Sequence, residues 1–235
     1  MTQAVKPTLE DLLRDLHPLA HSREAVEKLQ AFASAHRKTA SVQEVMIAEG
    51  ALIKPPIMHD HCCATGVCKL EEPFVVLQGD IVHTEAAYFM GVRFDGSGAL
   101  YAVGTSTCDL VPGRREYAVI YPITPVRKPT TEEERKQISH MLNSVLKFTS
   151  SMYMFLPRFD DQDPALVLGN LVDLTRPHQI ESNALLLAHR RYSLTEVGWR
   201  IFSTLVRHIT SREAEDEVSI RNLPEAEPAA EESAV

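Results

Sequence analysis

The stretch "HDHCCATGVC", residues 59–68, sets two histidines, an aspartate and three of the chain's four cysteines within ten positions. Imidazole nitrogen and thiolate sulfur are the donor types that hold tetrahedral zinc. In an extended chain side chains alternate between faces, so His59, His61 and Cys63 share one face while Asp60 and Cys62 take the other. The "ATG" that follows turns the chain and returns Cys68 as a fourth ligand. His59, His61, Cys63 and Cys68 then form a His2Cys2 set suited to zinc. A second set, Cys62, Cys63, Cys68 and the distant Cys108, suits zinc or an iron–sulfur cluster. Neither has two ligand pairs at the usual Cys-x2-4-Cys type of spacing, so the pattern does not choose between them. Small cysteines also pack well and exposed histidines solvate cheaply, which accounts for the cluster with no ligand at all. The adjacent Cys62 and Cys63 are poorly placed for a disulfide.

A second candidate is "TSTCDLVPGRR", residues 105–115, directly after a predicted strand. Loops at strand ends often carry chemistry. Cys108 would act as a nucleophile if His59, His61 or His83 approached it, with Asp109 orienting that base. Arg114 and Arg115 suit a phosphate or carboxylate. The plainer account is a packed cysteine, an aspartate satisfying turn amides and two solvated arginines.

Weaker candidates read as ordinary surface or core. His178, His189, Arg190 and Arg191 suggest a solvated basic face, Trp199 and His208 suggest packing inside the last helix, and Asp160, Asp161 and Asp163 suggest a surface turn rather than a cation site.

The elements that must position these groups follow from pattern. Thr8 precedes "LEDLLRDL" and Ser22 precedes "REAVEKLQAFASAHRK", both with apolar residues at helical spacing, which predicts a two-helix hairpin over residues 1–53. A Cys/His-rich connector spans 54–73. From 74 to 128, "FVVLQGDIVH", "AAYFMGVRF", "GALYAVGTS" and "EYAVIYPI" read as short strands, and the Asp-Gly pair in "RFDGSGAL" predicts a hairpin. Over 129–212, Thr131 and Glu134 make a capping box before "EEERKQISHMLNSVLKF". Strands "SMYMFLP" and "ALVLGNLVDL" follow, then an ambiguous "NALLLAHRRYSL". Ser193 and Glu196 make a second box that opens the last helix.

Net charge is -8, yet eight acids against Arg221 place -7 of it in residues 213–235, leaving the body near -1. That Glu-, Ala- and Pro-rich tail buries too little to offset its ordering entropy and is expected to be disordered. A hydrophobic content of 44% supports a real core for the body. The start lacks the pattern of a signal peptide, and no apolar run approaches the ~20 residues that span a membrane, so no membrane partner and a cytoplasmic location are the expectations.

"GDIVH" at 79–83, "ALYAVGTS" at 99–106 and "EYAVIYPITPV" at 116–126 resemble the opening strands of the MazF/PemK toxin family, over about 50 residues. The resemblance implies a small SH3-like barrel and an endoribonuclease that cuts single-stranded RNA with an arginine and a serine or threonine. Thr124, in "YPIT", matches the threonine position. Where that family has Arg-Pro before its second long strand this chain has "GSGALYAV", so Arg114 or Arg115, from another loop, is the replacement cation for the transition state.

The expected protein is α+β: a helical N-terminal unit, a small antiparallel SH3-like barrel and a C-terminal helix-and-strand region. Its expected function is a cytoplasmic bacterial binding or regulatory module, toxin-like or defence-associated. It would present Cys108, Asp109, Arg114 and Arg115 to an RNA or protein partner. A MazF-like ribonuclease and a zinc or iron–sulfur metalloprotein are the rivals.

Overall fold

A computed structural model describes residues 6–19, 24–66, 74–93 and 99–210. Ser22, Cys68, the Asp95–Gly96 turn and the acidic tail lie outside the described residues. The chain opens with helices α1 (Leu9–Leu16), α2 (Glu24–Ala35) and α3 (Thr39–Ile47), a short strand β1 (Ile53–Lys54) and helix α4 (His59–Ala64). Strands β2 (Asp80–His83), β3 (Tyr88–Phe89), β4 (Val92–Arg93), β5 (Leu100–Val103) and β6 (Tyr117–Arg127) follow. Helix α5 (Glu132–Leu146) then leads to β7 (Tyr153–Leu156), β8 (Val167–Asp173), β9 (His178–Glu181), α6 (Ser182–Leu186), β10 (His189–Leu194) and α7 (Glu196–Thr210).

The α+β expectation holds, with helices packed on an antiparallel sheet. Strand order runs β1-β10-β2-β5-β6-β9-β3-β4, and β7–β8 attach to β6. The sheet is not closed, and it recruits strands from 153–194 rather than from 74–128 alone. The fork lies in β6, whose edge away from β5 pairs with β9 through Ile120 and with β8 from Ile123. Pro122 sits at this junction, where neither of those ladders is registered against it.

The central strands are buried on both faces, which is why they read as continuous apolar runs instead of alternating ones. Ile81, Ala102, Tyr121 and Ile123 point into one core, shared with Leu12, Leu29, Met46, Leu142, Phe155 and Phe202 from the helices and β7. Val82, Tyr101, Val103, Ala118 and Ile120 point into a second, completed by Ile180 and Leu185. The first core crosses the boundaries expected between the N-terminal unit and the sheet.

Local sequence rules succeed where partners are local. Thr8 caps α1 in a full box with Asp11, and Thr131 caps α5 with Glu134. The N-terminal expectation of two helices is corrected to three: Arg37 adopts φ 59° and ends α2, so α3 starts anew without a glycine to announce it. Of "FVVLQGDIVH" only Asp80–His83 is strand. The hairpin expected across "RFDGSGAL" lies largely outside the described residues; of the strands beside it, β4 pairs β3 and β5 pairs β2. Ser193 does not open α7; it belongs to β10, and Thr195 Oγ1 accepts from the Gly198 N–H in its place.

Gly198 is needed because α7 runs against the backbone of Leu52, and a Cβ there would collide with the Leu52 carbonyl. Gly198→Ala is expected to cost about 1–3 kcal/mol in urea unfolding. The Glu134 carboxyl is held below its ordinary value by the Thr130 N–H, the Thr130 hydroxyl and the Thr131 N–H. Its contribution to stability is therefore present above the unfolded value of 4.5 and is lost as pH falls through the lowered folded value. Amide protection in the first turn of α5, taken relative to the intrinsic exchange rate at each pH, should fall over that range in the wild type and lose that pH dependence in Glu134→Gln.

Candidate functional site

A carboxylate with no exposed surface, Asp80, opens β2. Gly79, at φ 86°, turns the chain into it. Asp80 Oδ2 accepts from the Leu77 N–H at 2.8 Å, and Oδ1 accepts from Ser193 Oγ at 2.5 Å. Arg190 Nε lies 2.8 Å from Oδ2 as an ion pair, though without the alignment of a hydrogen bond. Arg190 is only 11% exposed, and its Nη2 donates to the Ile57 carbonyl at 2.9 Å. Burial pushes the Asp80 carboxyl up, while Arg190, the Ser193 hydroxyl and the Leu77 N–H pull it back.

A β-bulge makes this convergence possible. Strand β10 pairs with β2 through Arg190↔Val82 and Tyr192↔Ile81, so Arg191 is an extra residue. In a regular strand Arg190 and Ser193, three apart, would face opposite ways. The inserted residue brings both onto Asp80.

Above this floor is a cleft of about 280 Å³ between β2, β10 and the start of α7. Ile57, Leu77, Leu194 and the Trp199 indole supply apolar lining, and Lys54 and Glu196 supply charge. Gln78 forms one wall and is fully engaged. Its Oε1 accepts from Trp199 Nε1 at 3.0 Å, its Nε2 donates to the Gly104 carbonyl at 2.8 Å, and its backbone N–H donates to Thr107 Oγ1 at 3.0 Å. One residue thus ties α7 to the 104–109 loop.

The expected sites fall elsewhere. The 59–63 segment is helical, not extended, so the alternation behind the zinc set fails. On a helix His61 stands about 200° round from His59, whereas Cys63 is about 40° away. Accordingly His59 Nε2 and Cys63 Sγ meet at 3.3 Å, and the His59 ring packs edge-on against Phe74. Cys68 lies outside the described residues. Among the described residues no group of three or more His, Cys, Asp or Glu could hold a metal.

Cys108 sits exposed on a short 3-10 turn (Thr107–Asp109), its thiol 3.2 Å from Ser106 Oγ rather than against a histidine. His83 is registered with Leu100, at the end of β5 away from that loop. Asp109 pairs with Arg115 at 2.9 Å, and Arg114 Nη1 donates to the Cys108 carbonyl at 2.7 Å. Both arginines are therefore engaged in holding the loop. Thr124 is exposed on β6 opposite Leu171 of β8, five residues and about 17 Å of strand beyond Val119, which anchors the loop's start. The fold does not bring Thr124 and Arg114 together.

Several residues expected at the surface prove structural. Arg190 is held in an ion pair with only 11% of its side chain exposed, instead of solvated, and His178 is buried, stacked on Phe89. Trp199 packs as expected but also donates its indole N–H. His208 is exposed rather than packed. Arg191 pairs with Asp161, and Asp163 accepts from the Ala165 N–H, as a surface turn would have it. The sequence signal for the Asp80 cluster is slight: an aspartate beginning an apolar strand after a glycine. Comparisons with protein-family models, curated proteins and solved structures find no match to the chain.

Arg190→Met leaves the Asp80 carboxylate buried without its counter-charge, at an expected cost of about 3–5 kcal/mol at pH 7. With burial then less opposed, the folded pKa of Asp80 rises further above its unfolded value of 3.8. The stability this group supplies is complete below about 4 and lost as pH rises through the folded pKa. The deficit of the variant, read from urea unfolding, should therefore be widest at neutral pH and narrow toward pH 4.

Proposed function

We propose that the protein is a binding or regulatory module that takes a small ligand in the cleft beside Asp80 and presents the neighbouring 105–115 loop to an RNA or protein partner. The observation that carries this is Gln78, which joins the Trp199 wall of the cleft to Gly104 and Thr107 at the base of that loop. A ligand that moves Trp199 acts on the loop through two hydrogen bonds. The pre-bonded floor of Asp80, Ser193 and Arg190 favours recognition, since its polar groups are held without needing a ligand. A cytoplasmic bacterial setting and a toxin-like or defence-associated role belong to the same reading.

The SH3-like barrel and its ribonuclease activity are the finer form of the resemblance to the MazF/PemK family. The antiparallel run β2–β5–β6 supports it, and the separation of Thr124 from Arg114 weighs against it. A metal reading rests on the His59–Cys63 contact and needs further ligands, Cys68 among them. Among the described residues no helix is long and apolar enough to cross a membrane.

Thermal unfolding with single small metabolites tests the cleft. A ligand at about 100 times its Kd adds about 2.7 kcal/mol, which raises the Tm of a chain this size by roughly 5–10 °C. Trp199→Ala should abolish the shift. No shift with any metabolite, joined to RNA cleavage that Thr124→Ala and Arg114→Ala both weaken, would establish the ribonuclease instead.

A further inference from the structure

The polar groups along the cleft divide into those the fold has used and those it has not. Asp80, Ser193 and Gln78 are bonded as described, and the Thr195 hydroxyl donates to the Ala51 carbonyl. Lys54 and Glu196 remain. Lys54 has no hydrogen bond or ion pair with any described residue, and Glu196 approaches only Arg200, at a long 3.7 Å. Both line the same cleft, since β1 registers Lys54 opposite Ser193 and Glu196 starts the helix three residues later. No ion pair joins them within 4.0 Å among the described residues. One cleft thus offers a cation and an anion held apart, with apolar lining from Ile57, Leu77, Leu194 and Trp199.

We propose that the cleft binds a free α-amino acid with an apolar side chain. The ligand carboxylate faces Lys54, its ammonium faces Glu196, and its side chain lies against the Trp199 indole and the neighbouring aliphatic residues. This deepens the small-ligand reading above and rests on it. Size agrees with one small ligand, since about 280 Å³ lies at the lower end of the roughly 300–1,000 Å³ of ligand pockets. Charge agrees as well. A phosphate ligand would ask for a free guanidinium or several cations, but Arg190 is engaged with Asp80 and Glu196 faces the same space. A purely apolar ligand would make no use of either the Lys54 cation or the Glu196 carboxylate beside it.

Trp199 is the chain's one tryptophan, so its fluorescence reports the cleft directly. Full-length protein is titrated with L-leucine, L-methionine and L-phenylalanine, and with leucinamide, N-acetyl-leucine and 4-methylpentanoate as probes lacking one charge. Expected is a saturable change with the free amino acids at a Kd of about 1 mM or tighter, and at least tenfold weaker binding of each single-charge probe. Lys54→Met should weaken leucine tenfold or more and leave leucinamide unchanged. Glu196→Gln should weaken leucine and leave 4-methylpentanoate unchanged. Both positions are exposed, and circular dichroism checks that each variant is folded. Equal binding of leucine and the single-charge probes overturns the amino-acid assignment, as does no saturable change at ten times that concentration. If another metabolite still raises the Tm, the cleft reading survives that failure; if none does, both fall.

Discussion

Burying a carboxylate completely is the constraint around which this fold is arranged. Leaving that charge unpaired costs about 3–5 kcal/mol, a large fraction of a domain's net stability. Asp80 is compensated by a cation, a hydroxyl and an amide drawn from two separate stretches of chain: Arg190 and Ser193 of β10, and Leu77 of the preceding loop. Because two of the three partners lie more than 100 residues away, the cluster joins β2 to β10. It also holds the segment before α4, since the Ile57 N–H donates to Ser193 Oγ and its carbonyl accepts from Arg190. Such a cluster is poor at adding net stability and good at selecting one register. Here the bulge at Arg191 is the register it selects.

That constraint explains where sequence reading works. Thr8 with Asp11 and Thr131 with Glu134 are legible because a cap needs only residues three apart, and no distant group competes for them. Ser193 with Glu196 carries the same spacing and is not a cap, because a buried carboxylate 113 residues away claims the hydroxyl. The strands β5, β6, β7 and β8 are legible as apolar runs, yet their order is not. Periodicity says that a strand is buried on both faces without saying by what, and here two cores flank the sheet.

The candidate site was less legible still. A period of two in "HDHCC" sets His59 beside His61, and the helix changes which residues meet: His59 and Cys63 touch while His61 turns away. Arg190 reads as a solvated base from its "HRRYS" context, since nothing local reveals a bulge that turns it inward. Trp199 was correctly placed in the helix, but its role as a wall depends on Gln78, a residue in an irregular loop that no pattern singles out. Groups chosen for reactivity, Cys108, Asp109, Arg114 and Arg115, prove to hold their own loop together. The Asp80 cluster and the Gln78 bridge are made by tertiary contacts between polar residues of ordinary type.

Gln78 links the cleft to the loop through its side-chain amide and its backbone N–H, and the side chain is the part of that link that reaches Trp199. Amide hydrogen exchange in Gln78→Ala is its most direct measure, since the substitution removes the bonds to both Trp199 and Gly104. Faster exchange at residues 104–109 and in the first turn of α7 together, with the rest of the sheet unchanged, is the predicted result. Acceleration confined to one of the two segments would contradict it.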